Sequence, residues 1–241
     1  AYGADMNKYL DSGNKARIKK AYESRDPRLQ MAVITPYAQY NGASSGIAHT
    51  YTLRWPYRGS DSAEPFDIRT DTNDKFYYLW RKFVPEGLEQ TERDTYGLDI
   101  PLIRYAEVLL LKAEALNEWG STHESEAIRC VNEVRRRAGH VELNNATYPA
   151  TKVNGQSDLR ERIRNEYYWE IGGEDSMYFH ELRWGTWKDK KFDNNRNGLM
   201  QMWGETTYTW YWLGDQCWSW PIPAKEMEMN SNLEQNEGWI N

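Results

Sequence analysis

Cysteine is nearly absent from this 241-residue chain. Cys130 and Cys217 imply no disulfide framework, and both are expected to serve as small buried side chains, with a bridge between them as the alternative. The four histidines (His49, His123, His140 and His180) are dispersed and show no metal-ligand spacing. Gly-rich phosphate loops, nucleophile elbows and Cys–His pairings are missing too, so no cofactor is expected. Asp193-Asn194-Asn195-Arg196-Asn197-Gly198 resembles a calcium loop but lacks the terminal bidentate Glu, which leaves a solvated turn as the better reading. Positive charge is scarce: the net charge is −6, and no basic cluster exceeds Arg135-Arg136-Arg137. Nucleic-acid binding needs a concentrated cationic face and is disfavoured. Long apolar runs are also lacking. Arg104, Glu107, Lys112 and Glu114 break the most apolar window, Leu102 to Leu116, and a membrane span needs about 20 apolar residues. Ala1-Tyr2-Gly3-Ala4-Asp5 has no apolar core of the signal-peptide kind.

Phenylalanine is the last scarcity, and it points to what is abundant: 12 Trp and 17 Tyr stand against 5 Phe. A core could use Phe freely, whereas Trp and Tyr suit surfaces where a flat apolar face meets a polar edge. Sugars are partners of that kind, because their C–H faces stack on rings while their hydroxyls take hydrogen bonds. An unusually aromatic core would leave the same composition.

Periodicity predicts a mainly helical body. One helix is expected to start near Asp99 as N-cap, with Pro101 in its first turn and Leu102, Ala106, Leu109, Ala113 and Leu116 inward. Gly120 ends it. Ser121 and Glu124 form a capping-box pattern for a second helix through Ala127, Ile128, Val131, Val134 and Ala138, stopped by Gly139. Leu102–Glu118 and Glu124–Ala138 are thus expected as an antiparallel pair, similar to one tetratricopeptide unit. The Arg triplet ends the second helix, where cations complement the dipole. A third helix is expected from a Ser157 cap, with Leu159, Ile163, Tyr167 and Ile171 inward. Met31 to Thr35 reads as a strand, residues 40–75 as a long loop, and Lys75 to Val84 as strand-like. From Asp193 to Trp220 the pattern is irregular, Gly-punctuated and dense in aromatics.

The tail Trp220-Pro221-Ile222-Pro223, followed by a turn-rich run to Trp239, reads as an extended clasp folding back through Trp220, Ile222, Leu233 and Trp239. Together with Arg104-Tyr105-Ala106-Glu107-Val108-Leu109-Leu110-Leu111-Lys112-Ala113-Glu114-Ala115-Leu116-Asn117-Glu118, this tail closely resembles the C-terminal part of the SusD/RagB family, from about Arg25 to Trp239. The resemblance implies a mainly α fold: a tetratricopeptide-like helix pair with a loop-rich, partly β C-terminal region, residues 1–241 forming a single C-terminal domain. It further implies a non-enzymatic, lipid-anchored protein on the bacterial outer-membrane surface. Such a protein captures an oligosaccharide and delivers it to a SusC-like TonB-dependent transporter. An N-terminal helical-repeat half would be the remaining partner. RagB-like members bind peptide instead. Around the third helix the chain keeps Asn165-Glu166, Glu170, Glu174 and Arg183-Trp184-Gly185 of the family pattern. It departs at Tyr167, Asp175, Met177 and His180, so packing there is expected to be rewired.

Two constellations compete for a site. Glu166, Glu170 and Glu174 recur every four residues. They could supply a carboxylate pair for glycoside hydrolysis, or accept bonds from Arg104, Arg164 or Arg183 and tie helices together. The structural reading is the expected one. Ligand-binding candidates are instead Tyr40, Trp55 and Tyr57 in the Gly/Ser-rich stretch, with Pro56 stiffening the last pair, and Trp210 in the aromatic run Tyr208–Trp212.

Overall fold

A computed structural model describes residues 20, 22–23, 25–44, 46–57, 67–71, 79–87, 97, 99–174, 176–192 and 211–239, with the side chains of 44, 54–57, 67–71 and 191 left aside. The chain divides into two compact units, Tyr9–Met177 and a second that holds Tyr178–Asn241.

The first unit is built on three helices. Helix α2 (Tyr105–Trp119) and α3 (Glu124–Arg137) form the expected pair, and α4 (Gln156–Ile171) packs on both. Close approach is possible because Ala113 and Ala127, both fully buried, add almost no bulk at the contact. Leu109, Leu110 and Leu116 of α2, Ile128, Val131 and Val134 of α3, and Leu159, Ile163, Tyr167 and Ile171 of α4 fill the core. Burying side chains of this kind is worth about 1.5–3 kcal/mol each.

The helix start differs from expectation. Arg104, not Asp99, is the N-cap of α2, with extended backbone (φ −112, ψ 149), and Leu102 lies outside the helix at 90% exposure. Arg104's side chain is tied to Glu170 and Glu174, so the helix winds only after it. The capping box is replaced as well. Gly120, at φ 138, turns the chain, Ser121–His123 form a 3-10 turn, and the His123 ring stacks on Trp119 with centroids 4.2 Å apart.

Gly139 (φ 70) closes α3 in a Schellman motif: its N–H donates to Arg136 O at 3.1 Å and the His140 N–H to Arg135 O at 2.8 Å. The chain after it is held by Asn132, whose side chain accepts from Leu143 N–H (2.7 Å) and donates to Leu143 O (3.2 Å).

Before these helices, α1 (Pro27–Ala32) stands where Met31 to Thr35 was expected as a strand; only Val33–Ile34 (β1) is extended. Asp26-Pro27 starts a helix here, Asp26 accepting from Arg28 N–H at 2.9 Å and Pro27 occupying the first turn. The supposed loop from residue 40 is largely sheet. Strands β2 (Gln39–Ser44) and β3 (Ile47–Tyr57) form an antiparallel hairpin, and β4 (Asp67–Asp71) pairs parallel with β3. β5 (Leu79–Trp80) pairs antiparallel with β1. Ile34, Tyr40 and Leu53 form the sheets' own small core.

The second unit has little regular structure among its described residues. Helix α5 (Ser176–Arg183), which crosses the division, leads into it, followed by α6 (Trp187–Lys191), a 3-10 turn (Asp215–Trp218) and α7 (Ala224–Met229). The tail folds back, but not as an extended, apolar clasp. α7 interrupts it, and polar bonds close it: Ile222 N–H donates to Gln235 Oε1 (2.7 Å), Gln235 Nε2 to Ile222 O (3.0 Å) and Trp239 Nε1 to Ser219 O (2.8 Å). Trp220, named above as an anchor, is 72% exposed.

Candidate functional site

The first unit concentrates its charges at the meeting of α1, α3 and α4. Asp26 is both the N-cap of α1 and the clamp for Arg28, accepting from its Nε (3.0 Å) and Nη2 (2.6 Å). So oriented, Arg28 donates from Nη1 to Glu170 Oε2 at 3.0 Å and brings Nη2 within 2.8 Å of Glu166 Oε1, an ionic contact outside hydrogen-bond alignment. Glu166, with no exposed surface, takes its aligned bond on Oε2 from Arg135 Nε at 2.7 Å. Arg135 also donates from Nη1 to Val141 O at 3.0 Å, an acceptor placed by the Schellman turn just described.

The end of α4 carries the rest. Arg104 donates from Nη1 to Glu170 Oε1 (2.9 Å) and grips Glu174 through Nε (2.9 Å) and Nη2 (2.8 Å). Lys82 Nζ lies 2.5 Å from Glu174 Oε1 and donates to the carbonyls of Glu170 (3.0 Å) and Gly172 (3.3 Å). Two cations therefore sit on the otherwise unsatisfied carbonyl end of α4. Arg137, from the last turn of α3, adds a third guanidinium to Glu170.

Burial pushes the Glu170 carboxyl up, but hydrogen bonds from Arg104 and Arg28 and the charge of Arg137 outweigh it and leave its pKa below the usual value. Asp26 is lowered in the same way, its bonds from Arg28 outweighing desolvation. Both carboxylates are therefore ionised at neutral pH. A glycosidase acid must instead hold a proton near pH 7 and reach its substrate. Glu170 fails the first requirement and Glu166 the second, which favours the structural reading of this acidic set. Arg104 is the expected partner that supplies it; Arg164 reaches Glu161 at 3.3 Å, and Arg183 donates to His180 Nδ1 at 3.0 Å.

Above this cluster opens a cavity of about 220 Å³, lined by Arg28, Lys82, Arg104, Arg137 and the carboxylate residue Glu170, with Phe83 and Trp169 among its apolar walls. Trp169 is braced edge-on by His140 (centroids 5.7 Å apart) and by the Arg135 guanidinium 5.7 Å from its ring centre, yet stays 43% exposed. Phe83 has φ 61, rare for a bulky residue, and Lys82 Nζ lies 5.9 Å from its ring centre. Backbone strain of this kind costs on the order of 1–3 kcal/mol and gathers at ligand sites.

The second unit offers aromatic faces. Trp187 meets Tyr178, Phe192, Trp212 and Trp218 edge-on, with centroids 4.9–6.4 Å apart. The polar edges are bonded: Trp212 Nε1 donates to Asp215 Oδ1 (3.2 Å) and Trp220 Nε1 to the Tyr178 hydroxyl (2.8 Å). The faces of Trp220 and Tyr211 remain open to solvent.

Of the residues proposed from sequence, Tyr40 is 6% exposed and its hydroxyl donates to Pro85 O at 2.7 Å; its ring is part of the sheet core and has no open face for a ligand. Trp55 and Tyr57 lie in strand β3, not a loop, where the β3–β4 register shifts between Arg54 and Tyr57; their rings lie outside the description. Trp210 lies outside the described residues. Both cysteines are unbridged; Cys130 is buried as expected, whereas Cys217 is only half-buried. The described residues hold no group of three or more His, Cys, Asp or Glu suited to a metal, and no helix long and apolar enough to cross a membrane.

The chain belongs to the SusD family, whose model matches residues 5–239. A SusD-like protein of Formosa agariphila is 32% identical over 139 residues, 57% of this chain and 24% of that protein. The starch-binding protein SusD of Bacteroides thetaiotaomicron is 28% identical over 161 residues, 66% of this chain and 25% of that one. The chain thus spans about a quarter of the curated relatives it matches. Among solved structures, a SusD-like protein from Bacteroides fragilis superposes with a TM-score of 0.59 at 22% identity, covering 91% of this chain and 40% of that one. A SusD homologue from Bacteroides thetaiotaomicron gives 0.57 at 22% identity, with coverage of 92% and 42%. The mainly α, SusD-like fold expected from sequence is the fold observed.

Proposed function

We propose that this chain is part of a non-enzymatic outer-membrane surface protein that captures a nutrient oligosaccharide and passes it to a SusC-like TonB-dependent transporter. The observation that carries this reading is the family match over residues 5–239, joined by a 28% identical relative that binds starch. The chemistry agrees with it. The open faces of Trp220 and Tyr211, with the Trp220 indole N–H already bonded, suit stacking on sugar rings with modest affinity and quick release. The carboxylates of α4 are committed to Arg, which favours a binding role over hydrolysis. Lipid anchoring and a further helical half belong to the same reading.

Trp55, Tyr57 and Trp210 remain the proposed ligand contacts, whereas the burial of Tyr40 argues against it. The test is calorimetric titration of the full-length protein with starch oligosaccharides first and other glycans after them, alongside Trp55→Ala and Tyr57→Ala. Loss of one stacking anchor should weaken binding by about 1–3 kcal/mol with an unchanged melting temperature. Release of product sugar by the wild type, or tight binding of peptides with no glycan bound, would overturn the reading.

A further inference from the structure

Among the described residues, the charges beneath the cavity do not cancel. Arg28, Lys82, Arg104, Arg135 and Arg137 are five cations, and the carboxylates they hold are the four of Asp26, Glu166, Glu170 and Glu174. Each carboxylate is engaged before Arg137 is considered: Glu170 already accepts from Arg104 on Oε1 and from Arg28 on Oε2, the oxygen Arg137 also uses. Arg137 is the surplus cation. Its side chain is 59% exposed, lines the cavity and donates to Glu170 through Nη2. A guanidinium is a planar fork matched to a carboxylate.

The walls add a second requirement. Trp169 and Phe83 bring ring surface to the cavity. The volume is about 220 Å³. It lies below the range of about 300–1,000 Å³ usual for larger ligands. The cavity therefore takes one ring, not a chain of them.

We infer that this cavity binds a single carboxylate-bearing sugar, a uronic acid residue, with its carboxylate on Arg137 and its apolar face against Trp169. One surplus positive charge matches one carboxylate, and a dianionic phosphate would overshoot it. The inference rests on the glycan-capture reading and deepens it, assigning one subsite to an acidic residue of the captured polymer.

The experiment is a ligand-observed NMR titration of the full-length protein with glucuronate, glucose, glucose 6-sulfate and acetate. Glucuronate should bind at least tenfold more tightly than glucose or acetate, and its affinity should fall as salt rises. Arg137→Gln should lower glucuronate affinity at least tenfold without moving the melting temperature by more than a few degrees. Arg136→Gln serves as the control: it removes the same charge from an exposed neighbour paired with Glu142 outside the cavity, and should leave glucuronate binding intact. Trp169→Phe should retain more of the affinity than Trp169→Ala. Equal binding of glucose and glucuronate, preference for glucose 6-sulfate, or equal losses in the Arg136 and Arg137 variants would overturn the assignment. If neutral oligosaccharides bind elsewhere while glucuronate does not, this subsite fails and glycan capture stands. If no sugar binds, the broader reading fails as well.

Discussion

The two units solve the same problem, fixing polar or bulky side chains in place, with opposite chemistry. In residues 9–177 long helices are locked where they meet by Arg–carboxylate pairs, and the ions are buried deeply enough for geometry to matter. In residues 178–241 the described helices are short, and rings meeting edge to face take over, their polar edges tied to neighbours. Charge pairs dictate distance and angle strictly, so they suit a precise junction. Ring contacts tolerate tilt and leave faces open, so they suit a surface that must accept a partner.

The sharpest way to break this comparison is Glu166→Gln. Removing one partner from a buried ion set strands the others, here Arg28 and Arg135, and costs about 3–5 kcal/mol. Urea unfolding followed by far-UV circular dichroism should show that loss. The exposed Arg136–Glu142 pair gives the contrast: Glu142→Gln should cost no more than about 1 kcal/mol. Similar costs at the two sites would mean that the cluster behaves as ordinary surface charge.

Acid probes the same junction without mutation. Glu170 and Asp26 titrate lower in the fold than their ordinary values of 4.5 and 3.8, so they contribute stability above those values and lose it as pH falls through their folded pKa. His140 is lowered from 6.5 by burial, with Asp26 opposing and Arg135 adding to the fall. Its depressed pKa likewise costs stability as pH drops below 6.5, because the unfolded chain takes the proton first. Stability should thus begin to decline just below pH 6.5 and steepen below about 4.5, a profile read from melting temperatures between pH 3 and 8. His140→Gln should remove the first decline and leave the second. A flat profile down to pH 4 in the wild type would show that His140 is not coupled to folding.

These regions were also unequally legible. Helices α2, α3 and α4 follow from period and from Gly120 and Gly139, because burial along one face writes itself into local spacing. Glu166, Glu170 and Glu174 stand out for the same reason, and Arg104 was a nameable partner. Arg28 and Lys82 were not, since their bonds to Glu170 and Glu174 span 142 and 92 residues. Arg135 and Arg137 have a sufficient local reason at the C-terminus of α3, where cations complement the dipole, and it conceals the distant one. Strand β2 escaped because Asn41, Gly42, Ala43 and Ser44 carry little apolar alternation; Ser45-Gly46, a turn dipeptide, was the available signal.

On the aromatic side, Trp187→Ala should have the next largest effect. Its ring meets four others edge-on, and such pairs are worth about 0.5–1.5 kcal/mol each beyond burial, so removing it should cost roughly 2–4 kcal/mol. Most of the tryptophans lie in this unit, so near-UV circular dichroism should lose intensity there while far-UV ellipticity, dominated by α2–α4, changes little. If both signals collapse together, the units do not keep separate stabilities.

The smallest effect separates anchoring from display. Trp220 looks like an anchor in sequence, standing before Pro221 and Pro223, yet its ring is largely in solvent and its indole N–H makes one bond, to the Tyr178 hydroxyl. The chain around it is held instead by its own carbonyl, which accepts from Asn236 Nδ2 at 2.6 Å and would survive substitution of the side chain. Trp220→Ala should therefore cost only about 0.5–1.5 kcal/mol, the net worth of one hydrogen bond, while Asn236→Ala should loosen the turn by a similar amount without altering ring exposure. Tryptophan quenching by acrylamide distinguishes them: Trp220→Ala should remove a strongly quenched component, and Asn236→Ala should keep it. A stability loss above about 3 kcal/mol in Trp220→Ala would return this ring to the core, and with it the idea that the second unit displays its rings rather than burying them.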